Sequence, residues 1–209
     1  MKMQAFDPAV LGPEGNYKLL SGAVVPRPIA FVSTLDAAGV RNVAPYSFFT
    51  VASANPPVLC FCPSVRKPQP GLAAHKDTLA NVRATGEFVV NIVSEDYVAK
   101  MNAAAAQVSP EVDEFTLAGL SAVPSERVGA PGVGESRVRM ECRLLQVVEV
   151  SDLPMGGSLV LGQVVRFHVA DEVLREGLHI DAGSLDAVGR MAGSTYARTT
   201  DRFELERPK

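Results

Sequence analysis

Three segments of this chain combine polar side chains with backbone groups that could seat a ligand. The first is RNVAPYSFF, residues 41–49. It begins as a strand, but Pro45 removes a ladder donor and predicts an irregular turn, with Asn42, Tyr46 and Ser47 beside exposed amides. A flat heterocycle with alternating donors and acceptors could be read there; a strand that simply ends in a proline turn is the other reading. The second is HKDTLAN, residues 75–81. A helix starting here would aim free amides and a partial positive charge outward, which suits a phosphate. Lys76 adds a full charge, Thr78 a hydroxyl, and Arg66 in the preceding loop a forked cation. A capped surface helix with a solvated lysine is the alternative. The third is GRMAGSTY, residues 189–196, where the Arg190 guanidinium sits among small residues ahead of Tyr196. It could lie beside a ligand or belong to a mobile charged tail.

Other chemistry is poorly represented. There is no G-x-S-x-G elbow, phosphate-binding Walker loop, H-E-x-x-H pair or G-x-G-x-x-G turn. His75, His168 and His179 are scattered, as structural histidines usually are. The cysteines are Cys60, Cys62 and Cys142; an odd number argues against a disulfide framework, and buried thiols are a simpler reading than metal ligands. An enzyme of this composition would rely on a bound cofactor for its hard chemistry.

Composition bounds the classes further. The chain has 209 residues, 47% hydrophobic and 21% charged, with a formal net charge of -3. That is enough apolar surface for a real core, and the acidic balance excludes a nucleic-acid binder. The longest basic cluster is Arg66-Lys67. No apolar run approaches the roughly 18 residues of a membrane span, and the opening MKMQAFDPAV lacks the apolar core of a leader, so the cytoplasm is the expected compartment.

The elements that must position these residues read as follows. Residues 1–16, rich in Pro and Gly, predict an irregular arm leading to a short helix at 17–20. PIAFVSTL (28–35) predicts a strand, 36–39 a turn, and 40–46 the returning arm of a hairpin. VLCFCP (58–63) predicts a strand and 63–75 a proline-rich loop. A helix capped by Asp77 or Thr78 should follow, with Leu79 and Val82 inward and Gly86 closing it. Residues 87–93 predict a strand, and Ser94 the cap of a helix from 95 to about 107. Residues 110–131 read mostly as loop. Two long strands, 136–150 and 158–170, come next; strict alternation puts Arg139, Glu141, Arg143 and Leu145 on one face and Val138, Met140, Cys142 and Leu144 on the other. The tail from 171 holds few signals. This order predicts one domain, mainly β with peripheral helices: an antiparallel barrel, closed or nearly closed.

Taken in register, several stretches resemble the flavin reductase-like family, the FMN-binding split β-barrel proteins related to flavoredoxin. They are residues 27–57 (from RPIAFVSTL to ANPP), KDTLANV (76–82), EFVVNIV (87–93), VDEFTLAGL (112–120), ECRLLQVVEV (141–150), GQVVRFHV (162–169) and GRMAGSTY (189–196). The resemblance spans about residues 17–198, leaving 1–16 and 199–209 as extensions. It implies a homodimer with FMN at the subunit interface. It implies that Asn42, Ala44, Pro45, Tyr46 and Ser47 line the flavin ring, with Ser33 and Thr34 close to it. It implies that Lys76, Asp77 and Thr78 lie by the phosphate, with Arg66 near them, Asp77 turning its carboxylate away to cap the helix. His168 would lie on the nicotinamide side, and Arg190 and Tyr196 would close over the site. The implied activity is flavin reduction by NADH or NADPH, with hydride transfer to flavin N5 and no catalytic side chain required. The implied recipient of electrons is a flavin-dependent monooxygenase or another redox protein; a non-catalytic FMN electron carrier is the alternative.

Overall fold

The computed structural model describes residues 1–208. In chain order its elements are α1 (Pro8–Ala23), β1 (Ala30–Leu35), β2 (Arg41–Tyr46), β3 (Phe49–Ala54), β4 (Pro57–Phe61), α2 (Asp77–Thr85) and β5 (Glu87–Ile92). A 3-10 turn at Glu95–Tyr97 leads to α3 (Val98–Ala103), α4 (Glu114–Ala118), β6 (Ala122–Val123), β7 (Gly132–Val133), β8 (Val138–Glu149) and β9 (Ser158–Val169). The chain ends with β10 (Leu174–Arg175), β11 (His179–Ile180), α5 (Ala182–Leu185), β12 (Val188–Arg190) and β13 (Tyr196–Arg198).

Seven strands form one antiparallel sheet in the order β2-β1-β5-β8-β9-β4-β3. Its two edges, β2 and β3, are joined through Ser47 and Phe48 alone. Across a flat sheet those edges would lie about 29 Å apart, at about 4.8 Å per strand. The three peptide steps from Tyr46 to Phe49 span at most about 11 Å. The sheet must therefore curl until its edges nearly meet, yet β2 and β3 do not pair. This is the antiparallel split barrel that the strand order predicts.

The barrel interior is a cluster that includes Val32, Phe61, Phe88, Val90, Cys142 and Val160. The Phe61 and Phe88 rings meet edge-on with centroids 5.4 Å apart. Phe88 has room because Gly162 faces it: a Cβ there would stand 2.2 Å from the Phe88 Cζ. Leu79 and Val82 of α2 join this interior, so α2 plugs the barrel and its position is held by core packing. A second cluster, with Phe31, Val43, Tyr97, Met101 and Phe115, packs α3 and α4 on the outer face of β1 and β2. Alternation along β1 divides its residues between the two.

Several local expectations are corrected. Residues 8–23 are helical, kinked at Gly12 (φ 67°); Asp7 caps the start and Pro8 and Pro13 suit the first turns on either side of the kink. Pro45 does not end its strand. It pairs with Phe31 inside β2, which tolerates it because β2 is a sheet edge. β3 was not legible because its side chains are largely exposed and carry no alternation. The helix expected over 95–107 is a 3-10 turn and the short α3; Ser94 does stand at the N-cap of that turn, but makes no side-chain capping bond, its Oγ donating instead to the Leu185 carbonyl at 2.7 Å. Inside the expected 110–131 loop, Asp113 caps α4 through the Phe115 amide at 2.9 Å. The tail is structured by two small hairpins and α5. The alternation expected of β8 holds as far as Leu144, with Met140, Cys142 and Leu144 turned to the interior, and a register shift between Leu144 and Gln146 then brings Val147 to that face. Glu141, on the opposite face, is buried as well because the 124–131 loop covers it. Cys142 is buried, but Cys60 and Cys62 are only half-buried. Among the described residues no group of His, Cys, Asp and Glu could hold a metal, and no helix is long and apolar enough to cross a membrane.

Candidate functional site

A cleft open to solvent lies where the edge strand β2 meets the start of α2. Asn42, Ala44, Pro45 and Tyr46 come from β2, and Arg66, Lys76, Asp77 and Thr78 from the loop and α2. Ala104, Ala105, Ala106 and Val108, following α3, form another wall, with Glu114 of α4.

Asn42 is the hub of the polar floor. Its Oδ1 accepts from Thr78 Oγ1 at 2.7 Å and from Thr34 Oγ1 at 3.2 Å, and its Nδ2 donates to Glu114 Oε1 at 2.8 Å. Asn81 Nδ2 in turn donates to Thr34 Oγ1 at 3.0 Å. Asn42, Thr34 and Thr78 are all buried, so this network locks the amide in one orientation. Thr78 thus acts within the network and does not cap α2.

The charged end differs from expectation. The N-cap of α2 is Lys76, with no side-chain capping bond, and the amides of Asp77 and Thr78 precede the first helical bond, from the Leu79 amide to the Lys76 carbonyl at 3.0 Å. Asp77 does not cap either: its Oδ2 takes Arg66 Nη2 at 2.5 Å. Arg66 Nη1 donates to the carbonyls of His75 (2.6 Å) and Ala73 (3.1 Å). Arg66 therefore braces its own proline-rich loop, its charge shared with Asp77. Lys76 has no carboxylate within 4.0 Å among the described residues. Burial, then the Arg66 charge, holds its pKa below the usual lysine range.

Two oxygens of this region lack any partner: Tyr46 Oη and Glu114 Oε2. Burial pushes the Tyr46 phenol well up. Burial likewise raises the Glu114 carboxyl to about 7, against its own backbone amide, the Asn42 side chain and the Val43 amide, with the Asp77 charge adding to the rise.

The remaining sequence-predicted residues lie outside the cleft lining. Thr34 reaches it only through Asn42. Ser33 faces the other side of β1, where its Oγ donates to the Pro131 carbonyl at 2.5 Å. Ser47 Oγ accepts a long 3.4 Å contact from Arg27 Nε. His168 pairs with the fully buried Glu141 at 2.5 Å, and Glu141 also accepts from the Glu126 and Arg127 amides at 2.8 and 2.6 Å, so the group pins the 124–131 loop. The Arg190 guanidinium lies 4.4 Å from the Tyr196 ring across the β12–β13 hairpin, and Tyr196 Oη meets Asn102 Oδ1 of α3 at 3.4 Å.

Sequence reasoning did not single out Glu114 or the Ala104–Val108 wall. An acidic residue beside a helix cap usually lies in solvent, and only the packing of α4 on β2 buries this one.

The comparisons agree with this architecture. The family described as flavin reductase like domain matches residues 21–189. YwrF of Bacillus subtilis is 39% identical, over 99% of this chain and 100% of that protein. The crystal structure of nitrilotriacetate monooxygenase component B from Bacillus cereus is 41% identical, with a TM-score of 0.90 over 98% of this chain and 100% of that one. That of the Pseudomonas fluorescens 2-nitrobenzoate 2-nitroreductase NbaA is 30% identical, with a TM-score of 0.87 over 98% and 96%. With its split barrel and a match over most of its length, this chain belongs to the flavin reductase-like family.

Proposed function

We propose that the cleft binds FMN and that the protein is an NAD(P)H-dependent flavin reductase. One observation carries this reading: a single cleft joins an unpaired cation and free helix amides at one end to a locked amide network and an edge strand at the other. The first end suits a phosphate. The second suits a flat ring that needs fixed donors and acceptors, and the partnerless Tyr46 hydroxyl offers one more. FMN, when bound, supplies a hydride acceptor at N5. In this reading the chain's own residues hold and orient: Lys76 and the Asp77 and Thr78 amides take the phosphate, and Asn42, Ala44, Pro45 and Tyr46 take the ring. Thr34 acts through Asn42, and the Arg190–Tyr196 pair would close over the bound flavin.

A homodimer is part of the same proposal. β3 is a sheet edge; beside it the exposed Tyr17 and Phe48 rings lie with centroids 6.4 Å apart, and Leu20 of α1 and Val51 of β3 are exposed as well. A second copy would cover that face; sedimentation of a 22.2 kDa species at micromolar concentration would count against it. The likeness to a monooxygenase component suggests a flavin-dependent monooxygenase as the consumer of reduced flavin.

The test is the absorbance of protein mixed with FMN, followed by NADH or NADPH without air. Bleaching of the flavin band by either nicotinamide is expected. Bound flavin that neither donor reduces would turn the reading to an electron carrier that is charged by a protein partner. No flavin binding would remove the proposal altogether.

A further inference from the structure

The cleft holds a carboxyl group that flavin binding and reduction do not account for. Glu114 is 6% exposed, its Oε1 takes the Asn42 amide at 2.8 Å, and its Oε2 is buried with no partner. An ionised carboxylate with one unsatisfied buried oxygen is costly, and the neutral acid avoids most of that cost.

The charges around it make its ionisation matter. From α2 and the preceding loop come Lys76, Asp77 and Arg66; from β2, Arg41 and Tyr46; beside it on the cap of α4, Asp113. Arg41 is paired with Asp113, and Lys100 of α3 with Glu135 at 2.8 Å, so these balance one another. Arg66 is balanced by Asp77. What remains is Lys76 against Glu114. The cleft carries one net positive charge when Glu114 is protonated and none when it is ionised.

We propose that Glu114 makes this cleft's grip on an anionic, phosphate-bearing flavin proton-linked: the carboxyl is neutral when that ligand is bound, and its ionisation opposes the ligand. The inference rests on the flavin reading above. Burial holds the Glu114 pKa at about 7, so the switch falls within the physiological range. A ligand that binds only the protonated form loses affinity by up to about tenfold per pH unit above that pKa, since the competent fraction falls by that factor. Riboflavin, which lacks the phosphate, has much less to lose.

The experiment measures dissociation constants for FMN and riboflavin between pH 7 and 8.5, in wild type and in Glu114→Gln, whose amide stays neutral. Wild type should lose about tenfold in FMN affinity over that range, and less than about twofold for riboflavin. Glu114→Gln should hold its FMN affinity within about twofold up to pH 8.5. A wild-type slope retained by Glu114→Gln would assign the effect to Lys76 deprotonation and overturn the proposal, as would equal slopes for the two ligands. FMN binding that is flat with pH in wild type would overturn it while leaving the flavin reading standing; no FMN binding at any pH would remove both. Should the variant fail to fold, infrared difference spectra of wild type at pH 8 decide: FMN must increase the protonated-carboxyl band, and no increase overturns the assignment.

Discussion

Replacing Lys76 by alanine separates a cleft that reads a phosphate from one that only accommodates a flat ring. Lys76 sits at the mouth of α2 with no carboxylate within 4.0 Å of its ammonium among the described residues, while Arg66, the other cation, is held by Asp77 and two carbonyls. Arg66 therefore cannot take over when the lysine is removed. Burial and the Arg66 charge already depress the Lys76 pKa, so an arriving anion relieves a real strain at this position. One charge-assisted hydrogen bond contributes about 1.5–3 kcal/mol, which is roughly a tenfold to hundredfold loss of FMN affinity. Riboflavin affinity should change by less than about twofold, because nothing it carries meets the ammonium group. The fold should change little: Lys76 makes no capping bond and, among the described residues, no salt bridge, and losing a half-buried ammonium removes its desolvation cost, so the stability change should stay within about 1 kcal/mol. The assay is a fluorescence-quenching titration of both flavins against wild type and variant, with a melting curve as control. Equal losses for FMN and riboflavin, or no loss for FMN, would refute the phosphate assignment.

Two further outcomes test the supports of the site. Asp77→Ala should destabilise the protein by about 3 kcal/mol in urea unfolding, the low end for a broken buried ion pair, because Asp77 keeps 18% exposure while Arg66, at 6%, would be left with an unpaired charge. A loss under about 0.5 kcal/mol would mean that the pair does not brace the loop. For Glu141, burial raises the pKa, but the Glu126 and Arg127 amides and His168 outweigh it, so the folded value lies below the ordinary 4.5. The stability it contributes is thus present above about pH 4.5 and lost as pH falls through the folded value. Glu141→Gln should lower stability at neutral pH and flatten the acid limb of the stability curve, leaving FMN affinity within about twofold; superimposable acid limbs for the two proteins would contradict this.

Much of the barrel was legible because its strands carry their own signals. The β-branched run of β1, the alternation through the first halves of β8 and β9, and the helix that Gly86 closes at φ 71° are local properties of sequence. The two hairpins, β1–β2 and β8–β9, and the family resemblance then pointed to an antiparallel split barrel, while the order of strands in the sheet came only with the structure. The expectations that failed were those in which context overrode a local rule. Pro45 was tolerated because β2 became a sheet edge, and β3 was hidden because an exposed edge strand has no buried face to pattern it.

The residue types of the cleft were also visible in advance: Asn42, Tyr46, Lys76 and Thr78 stand in segments whose composition already suggested a ligand. Their roles were not. Sequence could suggest that Arg66 and Lys76 both carry positive charge near a helix start, but not that Arg66 would be neutralised by Asp77, leaving Lys76 alone. It could show His168 in a strand, but not that the 124–131 loop would fold over Glu141 beside it and be clasped by the pair. Nor could it show that Glu114, 72 positions along from Asn42, would be buried against it with one oxygen unpaired. Charge, propensity and period are properties of single segments. Which charges cancel, which carboxyl loses its water and which hydroxyl is left without a partner depend on distances between segments, and those exist only once the sheet has curled and its helices have packed.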